Sequence, residues 1–156
     1  MKKIFIAATK QNDGKTTVAL GLLFHFKQAF GQIGFIKPVG QRYLEENGFK
    51  IDEDTILVES SFKLCGIKCR LKDMSPVAVE KGFTERYIAS PNPKVISAKI
   101  REAFGRVSSG HKMVVIEGTG HAGVGSVFDH SNAQVAKLLG SKVILISVQI
   151  VETLLD

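Results

Sequence analysis

The 156-residue chain has no tryptophan, only two cysteines and only four prolines. Two cysteines, Cys65 and Cys69, cannot build a disulfide framework. Their C-x3-C spacing also lacks the second ligand pair of a zinc site, so they read as reduced thiols in a loop or short helix. Long apolar runs are missing too. Met1-Lys2-Lys3 leads into apolar Ile4–Ala8, but polar Thr9–Asp13 follows at once. That run is too short for a signal-peptide core or a membrane span. A soluble, cytoplasmic protein with no membrane partner is therefore expected. Runs of like charge are equally scarce. Lys and Arg total 21 against 15 Asp and Glu, a net +6, yet the basic residues are scattered. This scatter argues against nucleic acid and leaves phosphate-bearing ligands open. No internal repeat or low-complexity segment occurs.

The 44% apolar and 23% charged content is that of an ordinary globular chain. Its length predicts a single domain over residues 1–156. Ile4–Ala8 reads as a buried strand. From Lys15 a helical period begins, with Val18, Leu22, Phe26 and Ala29 in register and Gly31 as the stop. Ile33–Lys37 is a second strand closed by Pro38, so the first forty residues spell a βαβ unit. Helices are expected at Asp52–Leu64, Asn92–Ser108 and Ser131–Leu139, and further strands at Met113–Ile116 and Val143–Val148. Residues 63–93, punctuated by Pro76, Gly82, Pro91 and Pro93, read as an excursion of short pieces. Apolar strands alternating with amphipathic helices predict an α/β fold with a parallel sheet covered on both faces.

Gly14-Lys15-Thr16-Thr17 falls between the first strand and the first helix, which is the setting a phosphate loop requires. Unpaired N–H groups and the positive helix end favour phosphate oxygens there. Gly14 admits close backbone approach, Lys15 reaches the phosphates, Thr16 can coordinate Mg²⁺, and Thr17 adds a hydroxyl. The pattern G-x-x-x-x-G-K-[ST] wants glycine at position 9, where this chain has Thr9. As a bare turn residue, Gly14 would carry no function.

Five segments together resemble the dethiobiotin synthetase family of phosphate-loop proteins, and still more the dethiobiotin-synthetase-like N-terminal domain of some phosphotransacetylase-type proteins. They are Ala8–Thr17, Lys37-Pro38-Val39-Gly40, Asp52-Glu53-Asp54, Glu117-Gly118-Thr119-Gly120-His121, and Val124–Val127 with Ser131-Asn132-Ala133. The resemblance implies a three-layer phosphate-loop NTPase fold with ATP and Mg²⁺ as cofactors. Carried over by position, it implies catalytic Lys15 and Lys37, a nucleotide loop of Lys10, Asp13, Gly14, Lys15, Thr16 and Thr17, and metal ligation by Thr16, Asp54 and Glu117. Lys37 could otherwise be an exposed charge after a strand, and Asp54 a carboxylate favoured by a helix N-terminus. Lys10 also resembles the early lysine of partition ATPases, which crosses a nucleotide-sandwich dimer, although Gln11 and Asn12 replace that motif's glycines. His121 and His130 read as hydrogen-bonded loop residues rather than metal ligands.

The expected sheet places the phosphate-loop strand between the third and fourth strands, with the second outside the third. The family's further C-terminal strands are expected to have no counterpart here, since Val148–Glu152 lacks the glycine-containing turn expected at that point, as in a truncated or divergent chain or a domain cut from a longer protein. An open apolar edge at Val143–Val148 then predicts a homodimer. Two functions remain open. One is a Mg-ATP-binding domain with a regulatory or accessory role. The other is an ATP-dependent ligase that activates a small carboxylate or carbamate, closing an amide or cyclic urea.

Overall fold

A computed structural model describes residues 1–64, 70–121 and 123–148. Strand β1 (Lys2–Ala8) is buried over its last four residues, as a strand covered on both faces must be. Helix α1 (Lys15–Phe30) follows the loop and ends at Gly31, whose φ of 71° suits only glycine comfortably and whose N–H returns to the Lys27 carbonyl. Its most buried apolar residues are Ala19 and Leu23, flanked by Val18, Leu22, Phe26 and Phe30. The expected stripe is thus the border of the contact, because small Ala19 lets the helix approach the sheet closely.

Strand β2 (Ile33–Ile36) is fully buried and stops one residue before Lys37. Then come β3 (Val39–Gly40), β4 (Tyr43–Glu46) and β5 (Phe49–Asp52). Strands β4 and β5 pair antiparallel around Asn47 and Gly48, both at positive φ. Asn-Gly is the strongest two-residue hairpin signal, and the sequence reading passed over it. Helix α2 (Glu53–Phe62) is one residue shorter at its start and two at its end than expected, because Asp52 is its N-cap and Lys63 leaves in the left-handed region. Cys65 and Cys69 lie outside the described residues.

Short α3 (Leu71–Met74), β6 (Val77–Ala78, paired with β3) and α4 (Phe83–Ala89) fill the excursion. Helix α5 (Pro93–Ser108) is capped by Asn92, whose side chain accepts from the Val95 N–H at 3.3 Å. Strand β7 (Met113–Glu117) is buried throughout and one residue longer than expected. Helix α6 (Asn132–Leu139) opens with a Ser131–Gln134 capping box. Strand β8 (Lys142–Ile146) stops short of Val148, and residues from Gln149 onward lie outside the described ones.

The main sheet runs β2-β7-β1-β8, all parallel, in the order expected. Right-handed crossovers place α1 on one face and α5 with α6 on the other. Phe5, Phe35, Ile36, Ile116, Leu23 and Ile100 form the dry centre. Register pairs Ile6 with Glu117 and Ile36 with Ile116. The carboxyl ends of β1, β2 and β7 therefore open into one crevice, where ligands of such sheets bind. No described helix is long and apolar enough to cross a membrane.

Candidate functional site

The loop from Thr9 to Gly14 folds through two left-handed residues, Asn12 at φ 66° and Gly14 at φ 85°. Such alternation turns successive N–H groups inward as an anion nest. Thr9, standing where glycine was expected, keeps an ordinary negative φ. Its N–H donates to the Ile146 carbonyl at 3.0 Å, prolonging the β1–β8 ladder. Its hydroxyl donates to Asp13, whose Oδ2 also accepts the Lys10 N–H at 2.9 Å. Asp13 thus holds the turn of the loop through the Thr9 hydroxyl and the Lys10 backbone N–H.

That cavity holds about 270 Å³ and is lined by Gly14, Lys15, Thr16, Thr17, Lys37, Asp52, Asp54 and Glu117 among others. Lys15, buried, bends over to donate to the Gly120 carbonyl at 2.6 Å. The Thr16 hydroxyl donates to Glu117 Oε1 at 3.0 Å. Lys37, also buried, faces three carboxylates: Asp52 Oδ1 at 2.8 Å, Asp54 in close contact, and Glu117 Oε1 at 3.7 Å. The structure therefore brings Lys37, Asp54 and Glu117 together, and Lys37 is not an exposed charge.

Asp52 was missed as a site residue. The sequence shows it as a helix start, and it does cap α2 by accepting the Asp54 N–H at 3.0 Å. Only the β4–β5 hairpin, absent from the expected elements, turns the same carboxylate inward to Lys37. Gly40 makes room for it, since a Cβ there would lie 2.5 Å from Asp52 Oδ2. Asn132 braces the opposite wall, accepting the Thr119 N–H at 2.9 Å and donating to the His121 carbonyl. His130 bonds to the Phe128 carbonyl at 2.6 Å and to the Ser97 hydroxyl at 2.9 Å, and the His121 ring accepts the Gly123 N–H.

Charge is unevenly shared. Burial lowers the Lys15 pKa, although Glu117 pulls it back upward. Burial opposes the charge on Lys37 as well, but Glu117, Asp52 and Asp54 together outweigh it and raise its pKa. Asp52 is raised by burial against the pull of Lys37. Burial raises Glu117 to about 7, with Lys37 only partly offsetting it. Glu117 Oε2 and Asp52 Oδ2 are buried with no hydrogen-bond partner. Among the described residues, no three His, Cys, Asp or Glu side chains could hold a metal by themselves. Mg²⁺ commonly takes one or two carboxylates plus substrate phosphates, so Thr16, Glu117 and phosphate oxygens form a fitting oxygen set, and the orphaned Glu117 Oε2 supplies a free acceptor.

The raised Glu117 sets a pH dependence. The folded protein holds a proton on Glu117 that the unfolded chain releases from the ordinary glutamate value of 4.5 upward. Wild-type stability therefore falls as pH rises through 4.5 to about 7, and Glu117→Gln escapes that loss. In EDTA the variant should gain roughly 3 kcal/mol on wild type across this window, about 6–12 °C in melting temperature. A stability difference that stays constant from pH 4.5 to 8 contradicts the assignment.

Comparison with known proteins agrees with this geometry. The AAA domain family model matches residues 2–154. The ATP-dependent dethiobiotin synthetase BioD of Caldicellulosiruptor saccharolyticus is 31% identical over 121 residues, covering 77% of this chain and 49% of that protein. BioD of Methanococcus vannielii is 28% identical over 145 residues, covering 92% and 64%. The phosphate acetyltransferase of Pseudomonas putida is 30% identical over 150 residues, covering 94% of this chain and only 20% of its own length. The chain spans about half the length of the first of these relatives. With its nest, its Gly-Lys-Thr helix start and its parallel sheet, the chain belongs to the AAA domain family, as a dethiobiotin synthetase-like phosphate-loop domain.

Proposed function

We propose that the cavity binds ATP through its phosphates together with Mg²⁺, and that the domain serves a regulatory or accessory role in the cytoplasm. The observation that carries this reading is the contrast between two buried lysines. Lys15 sits at the helix start with no carboxylate in ion-pair contact among the described residues, so it is a cation awaiting an anion. Phosphate oxygens beside Lys15 would offset the desolvation that now depresses its pKa. Gly14 has nothing within 4 Å of a Cβ position, which leaves its backbone open to approach. Bound Mg-ATP would supply a divalent charge and a transferable phosphoryl group. Thr16 and Glu117 would hold the metal side, and Thr17, exposed on the cavity wall, would add a hydroxyl donor.

Lys37 supports binding over transfer. Its charge is already surrounded by Asp52, Asp54 and Glu117, so little remains to stabilise charge spreading on a phosphoryl group in transit. The ligase reading needs Lys37 turned toward a carbamate or carboxylate substrate instead.

Mg-ATP in large excess should raise the melting temperature of wild type by roughly 5–10 °C, and of Lys15→Ala not at all. Phosphate release should be slow and indifferent to diaminononanoate with bicarbonate. Equal shifts in both proteins would refute nucleotide binding at Lys15. Turnover driven by that substrate pair would establish the ligase.

We also infer a homodimer. Among the described residues strand β8 is a sheet edge, and Val143 and Leu145 on it are 52% and 61% exposed. An apolar edge strand of that kind is a pairing surface. Light scattering at micromolar concentration should read twice the 17.0 kDa chain mass, and a monomer there contradicts the inference.

A further inference from the structure

A second cavity among the described residues lies away from the phosphate loop. It encloses about 620 Å³ between the β4–β5 hairpin, α3, α4 and α5, within the 300–1,000 Å³ range of small-molecule sites. Five cationic side chains line it, Lys50, Lys72, Arg86, Lys99 and Arg106, against two acidic ones, Asp73 and Glu80. The acids are already committed. Glu80 is clasped between Lys50 and Arg86, the latter at 2.6 Å. Asp73, almost wholly buried, accepts the Arg70 N–H at 3.0 Å and the Arg106 Nε–H at 2.8 Å.

That arrangement leaves a surplus of donors. Arg106 is held by its Nε, so neither terminal nitrogen is engaged by a carboxylate among the described residues. Lys72 has no carboxylate partner there either; its ammonium lies 4.4 Å from the Phe49 ring centroid, which fixes it at the cavity wall. Lys99, one turn before Ala103 on α5, is likewise without an acidic partner. Like charges gathered in one concavity repel, and an anion between them relieves the repulsion while gaining charge-assisted hydrogen bonds. Phe49, Pro76, Phe83 and Ala103 supply apolar wall beside the cations. Phe49 is 45% exposed, so part of its ring stays open to a flat partner beside the Lys72 ammonium.

We propose that this cavity is a second ligand site, distinct from the phosphate-loop cavity, for a small molecule with a dianionic head and a flat apolar body. Lys72, Lys99 and the terminal nitrogens of Arg106 bind the head, either a phosphoryl group or a pair of carboxylates. Phe49 and Phe83 receive the body. The two cavities share a wall, because Ser75 lines this one while its hydroxyl accepts the N–H of Asp52, which lines the other. The proposal does not depend on nucleotide binding at Lys15.

Calorimetric titration of the whole chain at about 0.15 M KCl, where the Debye length is about 8 Å, tests it with two probes. Phenyl phosphate carries the phosphoryl head and phthalate the dicarboxylate, with benzamide as the neutral control. At least one dianion should bind at one site per chain, and benzamide at least about tenfold more weakly. The probe that binds identifies the head. Lys72→Gln/Lys99→Gln, altered only at side chains that are not buried, should weaken that binding at least about tenfold, whereas Lys15→Ala leaves it unchanged. A thermal melt confirms that both variants are folded. No saturable binding of either dianion overturns the proposal, as does binding that Lys15→Ala abolishes and the double variant retains.

Discussion

Everything at the crevice turns on the ammonium of Lys37. Lys37 stands just past β2, where its backbone N–H donates to the Met74 carbonyl at 2.7 Å, and its ammonium gathers carboxylates from three other elements. Asp52 comes from the end of the hairpin, Asp54 from the first turn of α2, and Glu117 from the end of β7. One cation thereby ties the sheet to the hairpin and helix that flank it. Burying Lys37, Asp52 and Glu117, with Asp54 half-buried beside them, is costly, and only their mutual attraction and a few hydrogen bonds offset that cost. The balance is incomplete, since two carboxylate oxygens have no partner and Glu117 is raised to about 7.

Such incompleteness is informative because it is local. The packing around the main sheet is apolar and continuous, from Phe5 through Ile116 to Ile100. The unsatisfied oxygens belong to residues that line the same cavity as Asn12, Gly14 and Lys15, and Lys15 makes no ion pair among the described residues. A polyanion with a divalent cation would complement both deficits at once: phosphates for Lys15 and the nest, metal for Glu117. The same geometry separates the lysines by role. Lys15 donates to the Gly120 carbonyl and makes no ion pair among the described residues, whereas Lys37 is surrounded by three carboxylates.

Much of this was legible in the chain itself. Continuous apolar runs at residues 4–8, 33–36 and 113–116 marked the parallel strands, and Gly14-Lys15-Thr16 marked the loop, because both signals are local. Lys37 and Glu117 were legible because strand ends in a parallel sheet point to one crevice. Asp52 was not, since its inward role depends on a hairpin, on the bare Cα of Gly40, and on the distance folded between residues 37 and 52. Asp13, expected at the nucleotide from the resemblance, also holds the loop by accepting the Thr9 hydroxyl and the Lys10 backbone N–H, a local bond that the sequence pattern does not show. The cationic cavity was hidden for a similar reason. Its lysines and arginines come from four separate elements, and in the sequence they look merely scattered.

The central claim is that Lys37 is the counter-ion on which three carboxylates depend. Urea unfolding of Lys37→Met at pH 8 in EDTA tests it most directly, since methionine keeps most of the side-chain bulk and removes the charge. Removing one partner of a buried ion pair leaves uncompensated charge, so the variant should lose roughly 3–5 kcal/mol, with the loss shrinking toward pH 5 as Glu117 takes up a proton. A loss under about 1 kcal/mol, the scale of an exposed ion pair, or one that does not change with pH, would contradict the account.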